Sequence, residues 1–206
     1  MFGSTILGKS EHTSHPWRIH EFANDFQVLD VWALPTPGGP GDFSQLVNLW
    51  STFDPGRSSP VARALFAARW TIGRVFGLDR QQTGLRVRVQ TLRDRLPADL
   101  RDAPTDLVTD GYPFVPLYMT DREFAMEIAN QTVHGVMHVG WVPDAAGGFR
   151  GQMAVLVRPN GALGRAYLAA IAPFRHLIVY PLMMRDISRT WREHPSVPAP
   201  SEPGRP

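Results

Sequence analysis

Between Leu163 and Trp191 the sequence carries an apolar stripe in alternating steps of four and three residues, through Leu163, Tyr167, Ala170, Phe174, Leu177, Pro181, Met184 and Trp191. That spacing marks one face of a helix about eight turns long. Leu168, Ile171, Ile178 and Leu182 widen the stripe. A face this broad needs a large apolar surface to cover it, so the rest of the chain has to supply a sheet. Asn160, in "RPNG", is the candidate N-cap. Pro173 and Pro181 each remove an intrahelical hydrogen bond, which predicts a bent helix or one broken into shorter pieces.

The strands that could form that sheet come just before. Phe124–Ala129 and Thr132–Trp141 read as a hairpin around Asn130-Gln131, followed by the "PDAAGG" turn and a strand over Phe149–Val157. No helical crossover separates these late strands, so the sheet is antiparallel rather than parallel. Earlier, "FQVLDVWAL" gives strand one, ended by "PTPGGPG", and "TGLRVRVQTL" alternates apolar and basic residues as a further strand. Asp42 with Gln45 forms a capping-box pattern that starts a short helix. Ser59-Pro60 opens a second helix that runs to a Gly77 cap. "YPFVPLYMTD" reads as an edge strand, a lid or a covering loop.

The fold class that follows is α+β: a curved antiparallel sheet gripping a long, proline-bent C-terminal helix, with two shorter helices between strand one and the rest of the sheet. Residues 1–25 read as an N-terminal arm whose His12, His15 and His20 are expected at the surface. Residues 26–194 read as a single domain, and 195–206 as a disordered proline-rich tail.

Composition closes several function classes. The chain has 206 residues, enough to bury a real core, and no cysteine, which removes disulfides, iron–sulfur clusters, thiolate nucleophiles and cysteine-bound zinc. A net charge of +2, with Lys9 the one lysine among 21 basic residues, is too small and scattered for nucleic-acid binding. The N-terminus lacks a basic stretch followed by an apolar run, so no signal peptide is expected and a cytoplasmic location is the default. "AYLAAIAPFRHLIVYPLMM" contains Arg175, His176 and two prolines, so membrane contact is expected to be peripheral at most. "GGPG" lacks the following Gly-Lys-Ser or Gly-Lys-Thr of a phosphate loop, and no cofactor is expected. The oligomeric state stays open, with a homodimer among the options.

A long C-terminal helix gripped by a curved antiparallel sheet resembles the helix-grip, START-like (SRPBCC-like) fold. The strings "TLRDRLP" at Thr91–Pro97, "NQTVHGVMHVGWV" at Asn130–Val142, "FRGQMAVLV" at Phe149–Val157 and "PNGALGRAYLAAIAPFRHLIVYP" at Pro159–Pro181 carry a second likeness. Through them the chain resembles an uncharacterised bacterial family, the domain of unknown function numbered 2867, over most of residues 28–192. That family brings no reaction with it. The fold resemblance implies a cavity between sheet and helix that takes up small hydrophobic molecules.

Candidate chemistry centres on the hairpin. Along a strand, His134, Val136 and His138 share one face. The two histidines could share a cavity wall, or reach a common metal if a third ligand joined them, and Glu127 on the neighbouring strand is the acidic candidate. His134, His138 and Glu127 are therefore the acid/base candidates, and whether they face the cavity is left open. No metal site is assigned. Ligand-binding candidates are Tyr118, Trp141, Arg150, Gln152, Tyr167 and Phe174, with Tyr112 as a further hydroxyl. Gln152 would need a partner such as His134 if buried. Asp94 is expected to pair with an arginine or cap a turn, and Arg175 and His176 to meet carbonyls freed by the helix kink. No "GxSxG" elbow exists for a nucleophile. The leading expectation is binding of a small lipid-like or polyketide-like ligand. A cofactor-independent isomerase, cyclase or dehydratase using a cavity histidine is the alternative, followed by a structural protein with a filled core; whether the chain is an enzyme stays open.

Overall fold

The computed structural model describes residues 5–52, 90–103, 105, 107, 114–130 and 132–194. The helix expected over 60–76, most of the strand expected over 83–92, Tyr112 and the tail 195–206 lie outside them. Among the described residues six strands form one antiparallel sheet: β1 Thr5–Leu7, β2 Gln27–Ala33, β3 Val115–Met119, β4 Glu123–Ala129, β5 Val133–Pro143 and β6 Phe149–Pro159. Their order across the sheet is β1-β2-β6-β5-β4-β3. The segment read as strand one is β2, because the arm adds β1 at the sheet edge, Ile6 opposite Trp32.

Local chemistry sets the turns. Asn130 Oδ1 accepts from the Thr132 and Val133 amides and the Thr132 hydroxyl, which closes the β4–β5 hairpin. Asp144 Oδ1 does the same for the Ala146 and Gly148 amides before β6, where Gly147 takes a positive φ of 84°. Pro116, which cannot donate to a ladder, sits in edge strand β3 beside a register shift at Tyr118. A second shift separates Val28 from Asp30 in β2. Such bulges bend the strands that carry them.

The long helix runs from Gly161 to Glu193 in two α-helical halves, Gly161–Phe174 and Tyr180–Glu193, joined by a π turn over Arg175–Val179. Pro181 cannot donate to the Leu177 carbonyl, and the helical ladder slips into the wider turn just ahead of it. Asn160 makes no capping bond; its amide instead reaches the Asn130 carbonyl of the hairpin turn. The C-terminal half buries Tyr180, Met184, Ile187 and Trp191 against Trp32, Met137, Val139, Trp141 and Met153 of the sheet. Phe43, Leu46, Leu49 and Trp50 from the amphipathic helix Phe43–Thr52, the first of the two expected shorter helices, complete that core. Each such side chain contributes roughly 1.5–3 kcal/mol by leaving water. Gln45 of this helix bonds the His194 carbonyl at the end of the long helix, and the Asp42 carboxylate turns back to the Gly39 amide. This is the helix-grip arrangement.

The arm covers the opposite face of the sheet. A short helix at Ser10–Thr13 and a 3₁₀ turn at Arg18–Glu21 carry Trp17, Ile19, Phe22 and Phe26 onto Val31, Tyr118, Ala125, Val136, Ala154 and Leu156. Leu92, from the 3₁₀ turn Leu92–Arg95, joins them, as do Leu96 and Leu100. His12 is therefore not a surface residue: it has no exposed area. Thr91, rather than Asp94, caps the 3₁₀ turn by accepting from the Arg93 amide, while Arg95 pairs with Asp25 of the arm at 2.8 Å.

Candidate functional site

Period-two alternation on β5 places His134, Val136, His138 and Gly140 on the arm side of the sheet, and Met137, Val139 and Trp141 on the side of the long helix. Neither hairpin histidine lines the space between sheet and long helix. Four residues of extended strand hold the two about 13 Å apart, so they do not converge on one metal ion. Among the described residues there is no group of three His, Asp or Glu side chains able to hold one.

Each histidine is instead paired with a buried glutamate. His134 Nε2 lies 2.8 Å from Glu127 Oε2, and the same carboxylate accepts from the Leu92 amide at 3.0 Å and from the Thr91 hydroxyl. Phe26 sets its ring edge-on to His134 at 4.9 Å between centroids. His138 Nε2 lies 2.7 Å from Glu123 Oε2, which also accepts from the Tyr118 hydroxyl at 2.9 Å, while Glu123 Oε1 accepts from the Arg18 amide at 2.9 Å. Burial alone would raise the Glu123 carboxyl, but its bonds to His138, the Arg18 amide and Tyr118 outweigh that and hold it below the usual range. Burial and the neighbouring carboxylate drive the Tyr118 hydroxyl well above its ordinary value. His12 Nε2 closes the chain, 3.1 Å from His138 Nδ1. Gln152, on the same face, meets the Glu11 carbonyl at 3.3 Å rather than His134. Arg150 bonds the Gly151 carbonyl.

On the helix side a second polar cluster sits at the π turn. Asp30 of β2, 8% exposed, accepts from the Tyr180 hydroxyl at 3.0 Å, lies 3.0 Å from Arg175 Nε and is 3.1 Å from His176 Nε2. Trp32 packs its ring on Tyr180 at 4.6 Å and lies 6.1 Å from His176. Burial, then the Asp30 charge, lifts the Tyr180 hydroxyl far above its usual value. Arg175 and His176 thus meet a carboxylate on the facing strand β2, not the helix carbonyls expected from sequence. Asp30 was missed because one acid inside "FQVLDVWAL" looks like an ordinary outward strand position. The signal that could have found it is the pair Arg175-His176 interrupting an apolar helix, which calls for a buried anion opposite.

The two halves of the long helix pack differently. The C-terminal half buries five residues, the N-terminal half buries Gly164 alone, and the π turn buries none. Tyr167, Leu168, Ile171, Phe174 and Ile178 are all half-exposed, and so are Ile128, Val133 and Val155 of the sheet. On β5 a methyl group placed at Gly135 would meet Ile128 Cγ2 at 3.5 Å and Val133 Cγ1 at 3.8 Å, with no atom of the long helix nearer. Tyr167 and Phe174 belong to this loosely packed half. Trp141 belongs to the tight end, where it donates to the Gly39 carbonyl at 3.0 Å and lies 6.0 Å from Trp191. Tyr118, Gln152, His134, His138 and Glu127 lie across the sheet from both.

A family described as "Protein of unknown function (DUF2867)" matches residues 22–182. No curated protein matches the chain, and no solved structure does.

Proposed function

Given that the chain belongs to the DUF2867 family, whose description assigns no activity, we propose that it binds a small hydrophobic molecule between the sheet and the N-terminal half of its long helix. The observation that carries this reading is the mismatch between the two helix halves: an apolar stripe that stays half-exposed over a half-exposed stretch of sheet. Tyr167, Leu168, Ile171 and Phe174 line the ligand from above, and Ile128, Val133 and Val155 from below. Sites for such ligands are mostly apolar with a few convergent polar groups, and Asp30, Arg175 and His176 supply those at the π turn.

A proton-transfer enzyme is the second reading, and His176 favours it. His176 is oriented through Nε2 by Asp30, its side chain is 30% exposed, and no described residue bonds its Nδ1. His134 and His138 are closed in by the arm, and we read them as anchors of that arm rather than as acid/base groups.

Native mass spectrometry of the purified protein tests the binding reading. A co-purified apolar adduct is expected in the wild type and lost in Gly135→Leu, whose side chain would compete for the space proposed for the ligand while the thermal melt stays cooperative. Absence of any adduct, together with failure to take up the neutral dye Nile red, would sink the proposal.

A further inference from the structure

Among the described residues, Arg175 and His176 face a single carboxylate, Asp30. Arg175 Nε lies 3.0 Å from Asp30 as an ion pair and is buried without a hydrogen-bond partner among the described residues, its side chain is 14% exposed, and the Tyr180 hydroxyl is its other polar neighbour. The Arg175 guanidinium carbon lies 6.0 Å from the centre of the Tyr180 ring, so the group has an aromatic neighbour. His176 uses Nε2 on Asp30, and no described residue bonds its Nδ1. The cluster therefore holds more donors than acceptors, half-buried beside the half-exposed apolar residues Tyr167, Ile171 and Phe174 of the same helix.

We propose that the ligand is an amphipathic monoanion, a single apolar chain ending in a carboxylate that the Arg175 fork and His176 grip while Asp30 holds both side chains in place. This rests on the hydrophobic-ligand reading above and names the class of molecule. Three features select it. Arginine presents two parallel N–H groups that match a carboxylate. Asp30 lies against both Arg175 and His176, so one further carboxylate can share these donors with it, whereas a dianion would add a second unmatched charge. Fixed by Asp30, both donors are oriented before the ligand arrives, which lowers the entropy lost on binding.

The experiment is displacement of Nile red from the full chain by decanoate and by 1-decanol, which share a chain length and differ in the head group. Decanoate is expected to displace the dye at concentrations roughly 10- to 100-fold lower than decanol, the range for a charge-assisted hydrogen bond. Arg175→Gln is expected to bring the two together, and Arg175→Lys, which keeps the charge but loses the fork, to narrow the gap partly. Equal displacement in the wild type overturns the carboxylate clamp and leaves the hydrophobic site standing. A gap that survives Arg175→Gln overturns Arg175 as its cause. Failure of the protein to take up Nile red removes both proposals together. The wild-type comparison needs no variant to fold.

Discussion

His12 and His138 meet nitrogen to nitrogen at 3.1 Å across 126 residues of sequence, and both rings are buried. Ionised Glu123 accepts from His138 Nε2–H, so His138 Nδ1 accepts in turn from His12 Nε2–H, and both rings are neutral. Burial, then the neighbouring His138, His20 and His15, pushes His12 down to about 2. Burial also lowers His138, against the pull of Glu123.

Acid should therefore loosen the arm. Unfolded, both histidines take up protons around 6.5, so below that pH the unfolded chain binds more protons and stability falls as pH falls. The slope is at most ~1.4 kcal/mol per pH unit per histidine. Glu123, held below its usual 4.5, adds a further loss in the acid range under that value. Urea midpoints measured from pH 7.5 to 5 should decline below 6.5, with amides of residues 5–26 exchanging first. His12→Gln, which keeps the donor and cannot titrate, should flatten the decline; an unchanged slope would remove His12 from the account.

Gly140 is the contact on which the arm rests. A methyl group there would come within 2.5 Å of the Trp17 ring. Gly140→Ala should lift Trp17 from the sheet at a cost of about 1–3 kcal/mol. Faster amide exchange over residues 5–26, with the β4–β6 amides still protected, is the expected signature. Loss of protection across the whole sheet would show instead that arm and sheet unfold as one unit.

Much of this architecture is legible in the residues. Period-two alternation in β5 separates His134 and His138 from Met137 and Trp141, and the four-and-three spacing marks the long helix. What alternation cannot supply is a sign: it sorts side chains into two faces without saying which one the helix covers. The arm was illegible because its buried residues His12, Trp17, Ile19, Phe22 and Phe26 are spread over a short helix, a 3₁₀ turn with its two flanks and a strand entry, so no single period holds. The Asp30 cluster joins residues 150 apart, and no local window relates Asp30 to Tyr180.

Glu127 ties the Thr91–Leu92 turn to the sheet with three donors on one buried carboxylate. Glu127→Ala leaves the Leu92 amide, the Thr91 hydroxyl and His134 without their acceptor and should cost about 3–5 kcal/mol. Glu127→Gln keeps an oxygen for two of those donors, and the Thr91 hydroxyl can turn to accept from the new amide, so it should recover more than half of the loss. Chemical denaturation of the pair measures the difference. Equal destabilisation by both would mean that charge, not hydrogen bonding, holds the turn.

Gly164 fixes where the long helix starts. It is the single buried residue of the N-terminal half, and a methyl group on it would sit 2.1 Å from the Thr132 carbonyl oxygen, which already accepts from the Asn160 amide at 2.8 Å. The obstacle is backbone at the β4–β5 turn, which cannot rotate aside as a side chain would. Gly164→Ala should therefore lift the first turns of the helix off the hairpin rather than be absorbed locally, at about 3 kcal/mol or more. Because the tight packing of the long helix begins at Tyr180, the C-terminal half should keep its hold on Trp32 and Trp141. Amide exchange should then rise over 161–174 and stay slow over 183–191, and the Nile red uptake that depends on the N-terminal half should fall. Gly164→Ala with unchanged melting and uptake would show that the helix start is free to shift, and that the loose half is not held at the height a ligand needs.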